Sequence, residues 1–204
     1  ESDEHKLLRR DVVGFLGLSM RDAKVVAEAD KRARKYIGLG AASGDGAIHH
    51  DAMEKNLVGP VLAIAGRHAD DVLYQALVAA FAKTTDTEVR GSLLAAIGSP
   101  ISADLSKRAR ALFFDKRLRV SELMVPIRQQ LRHSKTQGDT VKWVLDHIDK
   151  IIAALPPRQA GWLPEMLASA MCSQAKADEL KALFDPRTGK LAGGKRNIGM
   201  AVEI

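Results

Sequence analysis

The sequence predicts an all-α protein, and three observations support this fold class. Apolar residues recur at three- and four-residue steps in segments of about 12–18 residues, which is the periodicity of an α-helix. No segment has the alternating pattern of a strand. Alanine and leucine are abundant and aromatic residues make up only 4% of the chain, a composition that favours helix. Helices with short polar breaks predict either a bundle or an α-solenoid, whose repeats would be HEAT- or armadillo-like because sequence self-similarity is weak.

Capping residues, glycines and prolines divide the amino-terminal part into predicted helices. The first covers 4–18 and has its apolar residues on one side: Leu7, Leu8, Val12, Phe15 and Leu16. Ser19 is the predicted cap of the second, with Asp22 three positions later. We expect Pro60 to kink or divide the third helix. The predicted helices after the first cover 19–37, 48–66, 70–81, 85–97 and 102–114.

Residues 121–157 are the most informative stretch of the carboxyl-terminal part. They predict a short helix, a polar break at 133–139 and a long helix that Pro156 and Pro157 stop. Trp143 lies off the apolar face of the long helix, which indicates a helix covered on two sides, as in stacked helix pairs. That face consists of Val141, Val144, Leu145, Ile148, Ile151, Ile152 and Leu155. Further helices are predicted over 162–171, 175–184 and 191–204, with a turn at 185–189.

Size and composition fit a globular domain. A chain of 204 residues buries one good core or two small ones, and we expect a single helical-repeat domain over 1–204 with a softer boundary near 38–47. Its start at Glu1, already in helical pattern, predicts a fragment of a larger protein. One cysteine, Cys172, allows no internal disulfide, and no apolar run reaches the length of a membrane span. The sequence leaves the compartment unknown.

The net positive charge raises the question of whether the chain binds nucleic acid. The net charge is +6 and the pI is about 9.5, so nucleic acid is the first partner to consider. We expect none, because the basic residues are mixed with 25 acidic ones and the few aromatic residues do not alternate with Arg or Lys. The charge indicates either a solvated helical surface or a basic concave face that attracts the carboxylate end of a peptide.

We find no catalytic, cofactor-binding or metal-binding pattern in the chain. A zinc peptidase needs His-Glu-x-x-His, and none of the six histidines has this spacing. His49 and His50 are adjacent and diverge by about 100° on a helix. The glycine-rich loop 38–46 lacks the Gly-Lys-Ser/Thr of a phosphate loop.

Four more residues or groups have structural interpretations. Cys172 follows an apolar helix and is expected to be packed and inert. Trp143 and Trp162 are expected in the core. The acidic residues beside His147, which are Asp146 and Asp149, predict a solvated face with an i,i+4 pair from Asp146 to Lys150.

The order of these features resembles the C-terminal helical domain of the large zinc aminopeptidases, the group that includes the puromycin-sensitive and endoplasmic-reticulum enzymes. The resemblance covers almost the whole chain and depends on order and spacing rather than on one decisive motif. Its clearest part is a helix ending in the polar turn 130–138, then Lys142-Trp143, a hydrophobic tail over 148–155 and the turn at Pro156-Pro157. Other matching features are residues 4–9, 66–70, Tyr74, 88–98, Cys172-Ser173 and the helix from Leu180 to Phe184.

The resemblance implies a right-handed curved stack of antiparallel helix pairs, that is, an α-solenoid. It also implies a non-catalytic domain that closes over the catalytic domain of its own parent chain, shapes the substrate chamber and contacts the distal part of the peptide. Zinc and the catalytic residues would then belong to the parent enzyme's other domain, and this chain would hold no cofactor. The candidates for contact with the peptide carboxylate are basic residues near inter-helix turns: Arg67, Arg90, Arg128, Arg132 and Lys142.

Two other functions stay open on the sequence alone. The first is a free-standing α-solenoid adaptor that binds a protein or peptide in a concave groove. The second is a basic helical-repeat protein on nucleic acid, whose affinity would fall steeply with salt. Residues 52–56 are superficially similar to the motif with which the aminopeptidases hold a substrate's amino terminus, but Lys55 interrupts it, and we attribute this similarity to chance.

Overall fold

The structure is a computed structural model that describes residues 2–39, 46–171 and 173–203. These residues form helices and connecting turns with no strand among them, so the all-α prediction is confirmed. Contacts group the chain into two compact units. Unit 1 comprises Glu1–Arg117 and Met124–Gln130, and unit 2 comprises Leu118–Leu123 and Leu131–Ile204. The single domain with a softer boundary near 38–47 stays a prediction, since part of that stretch lies outside the described residues.

Unit 1 is a succession of helices that pack on their near neighbours in the chain. Helix α3 packs on α1, α2 and α5, and α5 also packs on α4. Contacts between helices one or two positions apart are the packing pattern of an α-solenoid; the right-handed curvature stays a prediction. The helices are α1 (Asp3–Gly14), α2 (Ala23–Tyr36), α3 (Lys55–Arg67), α4 (Asp71–Lys83), α5 (Thr87–Ile97), α6 (Ala103–Ala111) and α7 (Met124–Leu131), of which α7 belongs to unit 1 as far as Gln130.

Aspartates cap three of these helices. The carboxylates of Asp22, Asp70 and Asp86 accept hydrogen bonds from first-turn N–H groups of α2, α4 and α5. The prediction of Ser19 as the cap of α2 is wrong. Ser19 ends a π-helical turn, Phe15–Ser19, and Arg21 adopts a positive φ of 56° before Asp22 starts the helix.

The region predicted as one kinked or divided helix over 48–66 has a different boundary. A short 3₁₀ turn, His50–Ala52, precedes α3, and α3 then continues through Pro60 without a division. Proline removes one backbone hydrogen bond from a helix interior. Burial of Val61 and Leu62, at 3% and 0% exposure, keeps this part of the helix anchored in the core.

The core of unit 1 lies between α3 and α5. Leu62 and Ile64 of α3 and Leu93 of α5 have no exposed surface. Gly66 allows the closest approach of the two helices, because a Cβ atom at this position would lie 2.3 Å from the backbone oxygen of Ala96. The backbones therefore touch where α3 ends, and only glycine fits there.

A buried amide connects the end of α5 to α6 within unit 1. The Nε2 of Gln130, a residue with 1% exposure, donates to the carbonyl oxygens of Gly98 at 2.7 Å and Pro100 at 2.9 Å. The hydroxyl of Ser106 donates to Oε1 of Gln130 at 2.7 Å. These bonds satisfy carbonyls of the predicted stop at Gly98-Ser99-Pro100, which is confirmed as the end of α5.

Unit 2 continues the all-helical pattern with shorter elements. Helix α13 packs on α11 and α12, and α9 packs on α8 and α10. Its core includes Leu167 and Phe184, both without exposed surface. The helices are α8 (Ser134–Asp146), α9 (Ile148–Ala154), α10 (Pro157–Ala160), α11 (Leu163–Ala168), α12 (Gln174–Phe184) and α13 (Gly194–Val202), with a 3₁₀ segment at Asp185–Lys190.

The polar break predicted over 133–139 is too long: the chain leaves helical structure only at Arg132 and His133, between α7 and α8, and is helical again from Ser134. His133 is the N-cap of α8, and its Nδ1 accepts from the N–H of Lys135 at 3.2 Å. Two buried threonines are satisfied inside the helix: the hydroxyl of Thr136 donates to the carbonyl of His133, and that of Thr140 donates to the carbonyl of Thr136. The polar side chains of this stretch therefore belong to a helix, in which threonine hydroxyls donate to backbone carbonyls of the preceding turn.

The predicted long helix is divided at His147 instead. His147 has a φ of −117° and a ψ of 12°, outside helical values, and separates α8 from α9. Its Nδ1 lies 2.8 Å from the carbonyl oxygen of Trp143. Asp146 and Lys150 therefore belong to different helices and lose the geometry of the predicted i,i+4 pair.

Candidate functional site

Two of the five predicted peptide-contact residues have their guanidinium groups bound within unit 1. Arg67 donates to the carbonyl of Leu18 at 2.7 Å, and burial together with Arg21 lowers its pKa. Arg90 is 7% exposed. It donates to the carbonyls of Phe81 and Arg117, and its guanidinium lies 4.0 Å from the ring centroid of Phe81.

The other three predicted residues are exposed. Arg128 lies on α7 in unit 1, where its Nε is 3.4 Å from the carbonyl of Met124. Arg132 is the C-cap of α7 and Lys142 is on α8, both in unit 2. Lys142 also lines a shallow cleft of about 520 Å³ together with Leu145 and Met171. An exposed cation is the form that a peptide carboxylate can reach without desolvating a buried charge.

Metal-ligating side chains are dispersed in the described part of the chain. No group of three or more His, Cys, Asp or Glu residues there could hold a metal ion. His50 lies edge-on to the ring of Tyr36, with 6.0 Å between ring centroids. Cys172 and most of the glycine-rich loop 38–46 lie outside the described residues, so their interpretations stay predictions.

Residues 52–56, which resemble a substrate-binding motif, bind other parts of the chain. Met53 is 7% exposed, and the carboxylate of Glu54 pairs with Arg9. The ammonium of Lys55 lies 2.8 Å from the carboxylate of Glu88, and the amide of Asn56 donates to the carbonyl of Lys6 at 3.0 Å. These contacts give the segment a structural role in joining α1, α3 and α5.

A polar cleft of about 360 Å³ opens inside unit 1 beside this segment, and the sequence did not predict it. Tyr36 lines it with 1% exposure, and its hydroxyl is buried without a hydrogen-bond partner among the described residues. Burial raises the pKa of Tyr36, and Asp86 and Glu88 raise it further. Its lining comes from α1, α2, α3, α5 and the 3₁₀ turn, and that is why linear spacing gave no signal for it.

The two tryptophans differ in their surroundings, and Asp149, near His147, pairs with a distant arginine. Trp143 stacks on His147 with 4.6 Å between ring centroids. Trp162 is 52% exposed, so its predicted core position is wrong: the residue is the N-cap of the short helix α11. Asp149 accepts from Arg187 at 2.8 and 2.9 Å, which lowers the pKa of its carboxyl group.

No helix of the described residues is long and apolar enough to cross a membrane. A search of curated proteins gave no match. A family model described as the ERAP1-like C-terminal domain matches residues 1–204, the whole of the chain. The match agrees with the all-helical architecture and with the resemblance to the C-terminal helical domain of zinc aminopeptidases. The chain therefore belongs to the family of ERAP1-like C-terminal domains.

Proposed function

We propose that this chain is the non-catalytic C-terminal domain of a zinc-dependent aminopeptidase. In this proposal it closes over the catalytic domain of its parent chain, shapes the substrate chamber and contacts the distal part of the peptide. Opening and closing of such a domain would gate substrate entry and product release. Zinc and the chemistry that it supplies would belong to the catalytic domain of the parent protein. The family match over residues 1–204 is the observation that carries the proposal.

The peptide-contact part of the proposal now depends mainly on three residues. Arg128, Arg132 and Lys142 are exposed and basic, so each can meet a carboxylate at moderate desolvation cost. Arg128 also makes one long hydrogen bond, from its Nε to the carbonyl oxygen of Met124 at 3.4 Å. Arg67 and Arg90 donate to backbone carbonyls, and reaching a peptide would require these bonds to break. We therefore expect the exposed residues to contribute more to peptide binding than Arg67 and Arg90 do.

The first test is the size and activity of the native protein. An immunoblot with an antibody raised on this chain should give a band several times larger than 22.1 kDa. The purified native protein should release amino-terminal residues from peptides, and a zinc chelator should abolish that activity. A band near 22.1 kDa would contradict the proposal and favour the free-standing peptide-binding adaptor.

The second test addresses the carboxylate contacts in the intact enzyme. The triple change Arg128→Ala, Arg132→Ala and Lys142→Ala should raise KM for longer peptides by about threefold to thirtyfold, because charge-assisted contacts to a carboxylate are lost. The KM for a dipeptide should stay the same, since a dipeptide does not extend from the catalytic domain. Lys181→Ala, at another exposed lysine, is the control. Unchanged KM values and unchanged length preference would contradict the assignment of these residues.

A further inference from the structure

The hydroxyl of Tyr36 is a feature of unit 1 that the proposed function leaves unexplained. Tyr36 is 1% exposed, lines the cleft of about 360 Å³, and its hydroxyl has no hydrogen-bond partner among the described residues. Burying a hydroxyl without a partner costs free energy, and native proteins almost always avoid it. A ligand in the cleft would supply the missing partner.

One wall of the cleft beside Tyr36 is acidic. Asp86 and Glu88, at the start of α5, both line it. Asp86 uses its Oδ1 to accept from the N–H groups of Glu88 and Val89 at 2.9 and 3.1 Å. The ammonium of Lys55 already lies 2.8 Å from the carboxylate of Glu88, so the wall accommodates a primary ammonium group. An ammonium with three N–H donors could bridge this wall and the oxygen of Tyr36.

Two basic side chains also line the cleft. Arg10 and Lys55 line it, and both side chains are well exposed, at 45% and 82%. Helix α3 begins at Lys55, beside the cleft, and no side chain caps its first N–H groups. Uncapped N–H groups at the start of a 13-residue helix favour a carboxylate, and the two cations add to that preference. His50 also lines the cleft, edge-on to Tyr36.

Apolar side chains form another part of the lining. Met53, Val58, Pro60 and Val89 line the cleft, and Met53, Val58 and Val89 are buried. These groups offer a surface for an aliphatic side chain. The cleft thus presents acceptors for an ammonium, donors for a carboxylate and an apolar contact surface within one lining.

We propose that this cleft binds a small zwitterion, namely a free α-amino acid with an aliphatic side chain. The ammonium of the ligand bonds to the oxygen of Tyr36 and to the carboxylates of Asp86 and Glu88. Its carboxylate faces Arg10, Lys55 and the start of α3, and its side chain contacts Met53 and Val58. This inference is independent of the proposed function, because all of these residues lie within unit 1 of this chain.

The pairing of Lys55 with Glu88 makes the two ends of the ligand depend on each other. The ammonium of the ligand replaces that of Lys55 at Glu88, and the released lysine becomes available to the ligand's carboxylate. The Lys55–Glu88 pair is exposed, and exposed pairs contribute little stability, so the exchange has a small cost. A molecule with only an ammonium or only a carboxylate makes only one of these two interactions.

Isothermal titration of the intact protein with leucine tests the proposal, and two analogues identify the groups that are recognised. Leucinamide keeps the ammonium, as the amino end of a peptide does, and N-acetyl-leucine keeps the carboxylate, as the carboxyl end does. We expect leucine to bind with a Kd of about 1 mM or below, and each analogue to bind about tenfold more weakly. Equal affinity of leucine and either analogue would overturn the zwitterion assignment in favour of a peptide end.

Two variants place the binding in this cleft rather than at another site of the protein. Tyr36→Phe should weaken leucine binding about tenfold. Tyr74→Phe should leave it unchanged, although the hydroxyl of Tyr74 is also buried with no hydrogen-bond partner in the described part of the chain. Arg10→Ala, at an exposed residue of the lining, should weaken binding of leucine and not of leucinamide. This variant still tests the proposal if Tyr36→Phe does not fold. Identical leucine titrations for wild type, Tyr36→Phe and Arg10→Ala would overturn the proposal.

Discussion

Helices α1 and α3 contain similar apolar residues but differ fully in burial. In α3, six apolar side chains are buried: Leu57, Val58, Val61, Leu62, Ile64 and Ala65. In α1 no residue is buried, and Leu7, Leu8, Val12 and the following Phe15 are between 45% and 62% exposed. Helical periodicity thus predicts where a helix forms and which side is apolar. Whether that side is buried depends on the neighbour that lies against it.

The contact between α1 and α3 explains the difference. Gly14 faces Pro60, and a Cβ atom at Gly17 in the following turn would lie 2.3 Å from the side chain of Ile64. The α1 region therefore approaches α3 through its glycines, three residues apart, and its apolar stripe points elsewhere. Close approach of two helices at small residues fixes the orientation of α1.

Replacing one leucine in each helix should give the largest difference in the free energy of unfolding between α1 and α3. Leu62→Ala should lower the free energy of unfolding by about 3 kcal/mol, because Leu62 is fully buried and its removal leaves a cavity. Leu8→Ala should change it by less than about 0.5 kcal/mol, because Leu8 is 62% exposed. Urea unfolding followed by circular dichroism measures both. Similar losses at the two sites would mean that the face of α1 is buried in solution.

The fold was predictable from the sequence where local signals decide the structure. Caps at Asp70 and Asp86 and the stop after Ile97 are local, and the corresponding helices are confirmed. The errors occurred where tertiary contacts override local polarity. Residues 134–139 are polar and contain Gly138, yet buried threonines bond back within α8 and this stretch is helical. Likewise, no local signal marks His147 as the division between α8 and α9.

The candidate sites were less predictable because they depend on burial and on distant segments. Proximity to a turn suggested Arg90, but the sequence does not show that its guanidinium binds the carbonyl of Arg117, 27 residues away. The cleft at Tyr36 combines residues from Arg10 to Ser92. A single tyrosine near the end of a helix carries no functional pattern of its own, so only the fold identifies its buried hydroxyl.

The second test concerns the close packing of α3 on α5. Gly66→Ala should lower the free energy of unfolding by about 2 kcal/mol, because the new methyl group would collide with the backbone of Ala96. Gly91→Ala on α5 is the matched control, since no atom lies within 4 Å of its Cβ position. The control should gain up to about 1 kcal/mol from the higher helix propensity of alanine. Equal gains at both positions, measured by thermal unfolding, would disprove the backbone contact.

The smallest effect tests burial through titration rather than through packing. Tyr74 on α4, which packs on α5, is 2% exposed, and burial raises its pKa from 10.0 to about 12. Between these values the folded protein keeps the proton and the unfolded chain loses it, so the stability decreases as the pH rises through this window. The decrease from this group is at most about 2 kcal/mol, and Tyr74→Phe should remove it. Urea unfolding at pH values of about 9 and 11.5 compares wild type with the variant. The same loss of stability at alkaline pH in both proteins would show that the hydroxyl of Tyr74 is accessible to water. The buried core of unit 1 would then include α3 and α5 but not this face of α4.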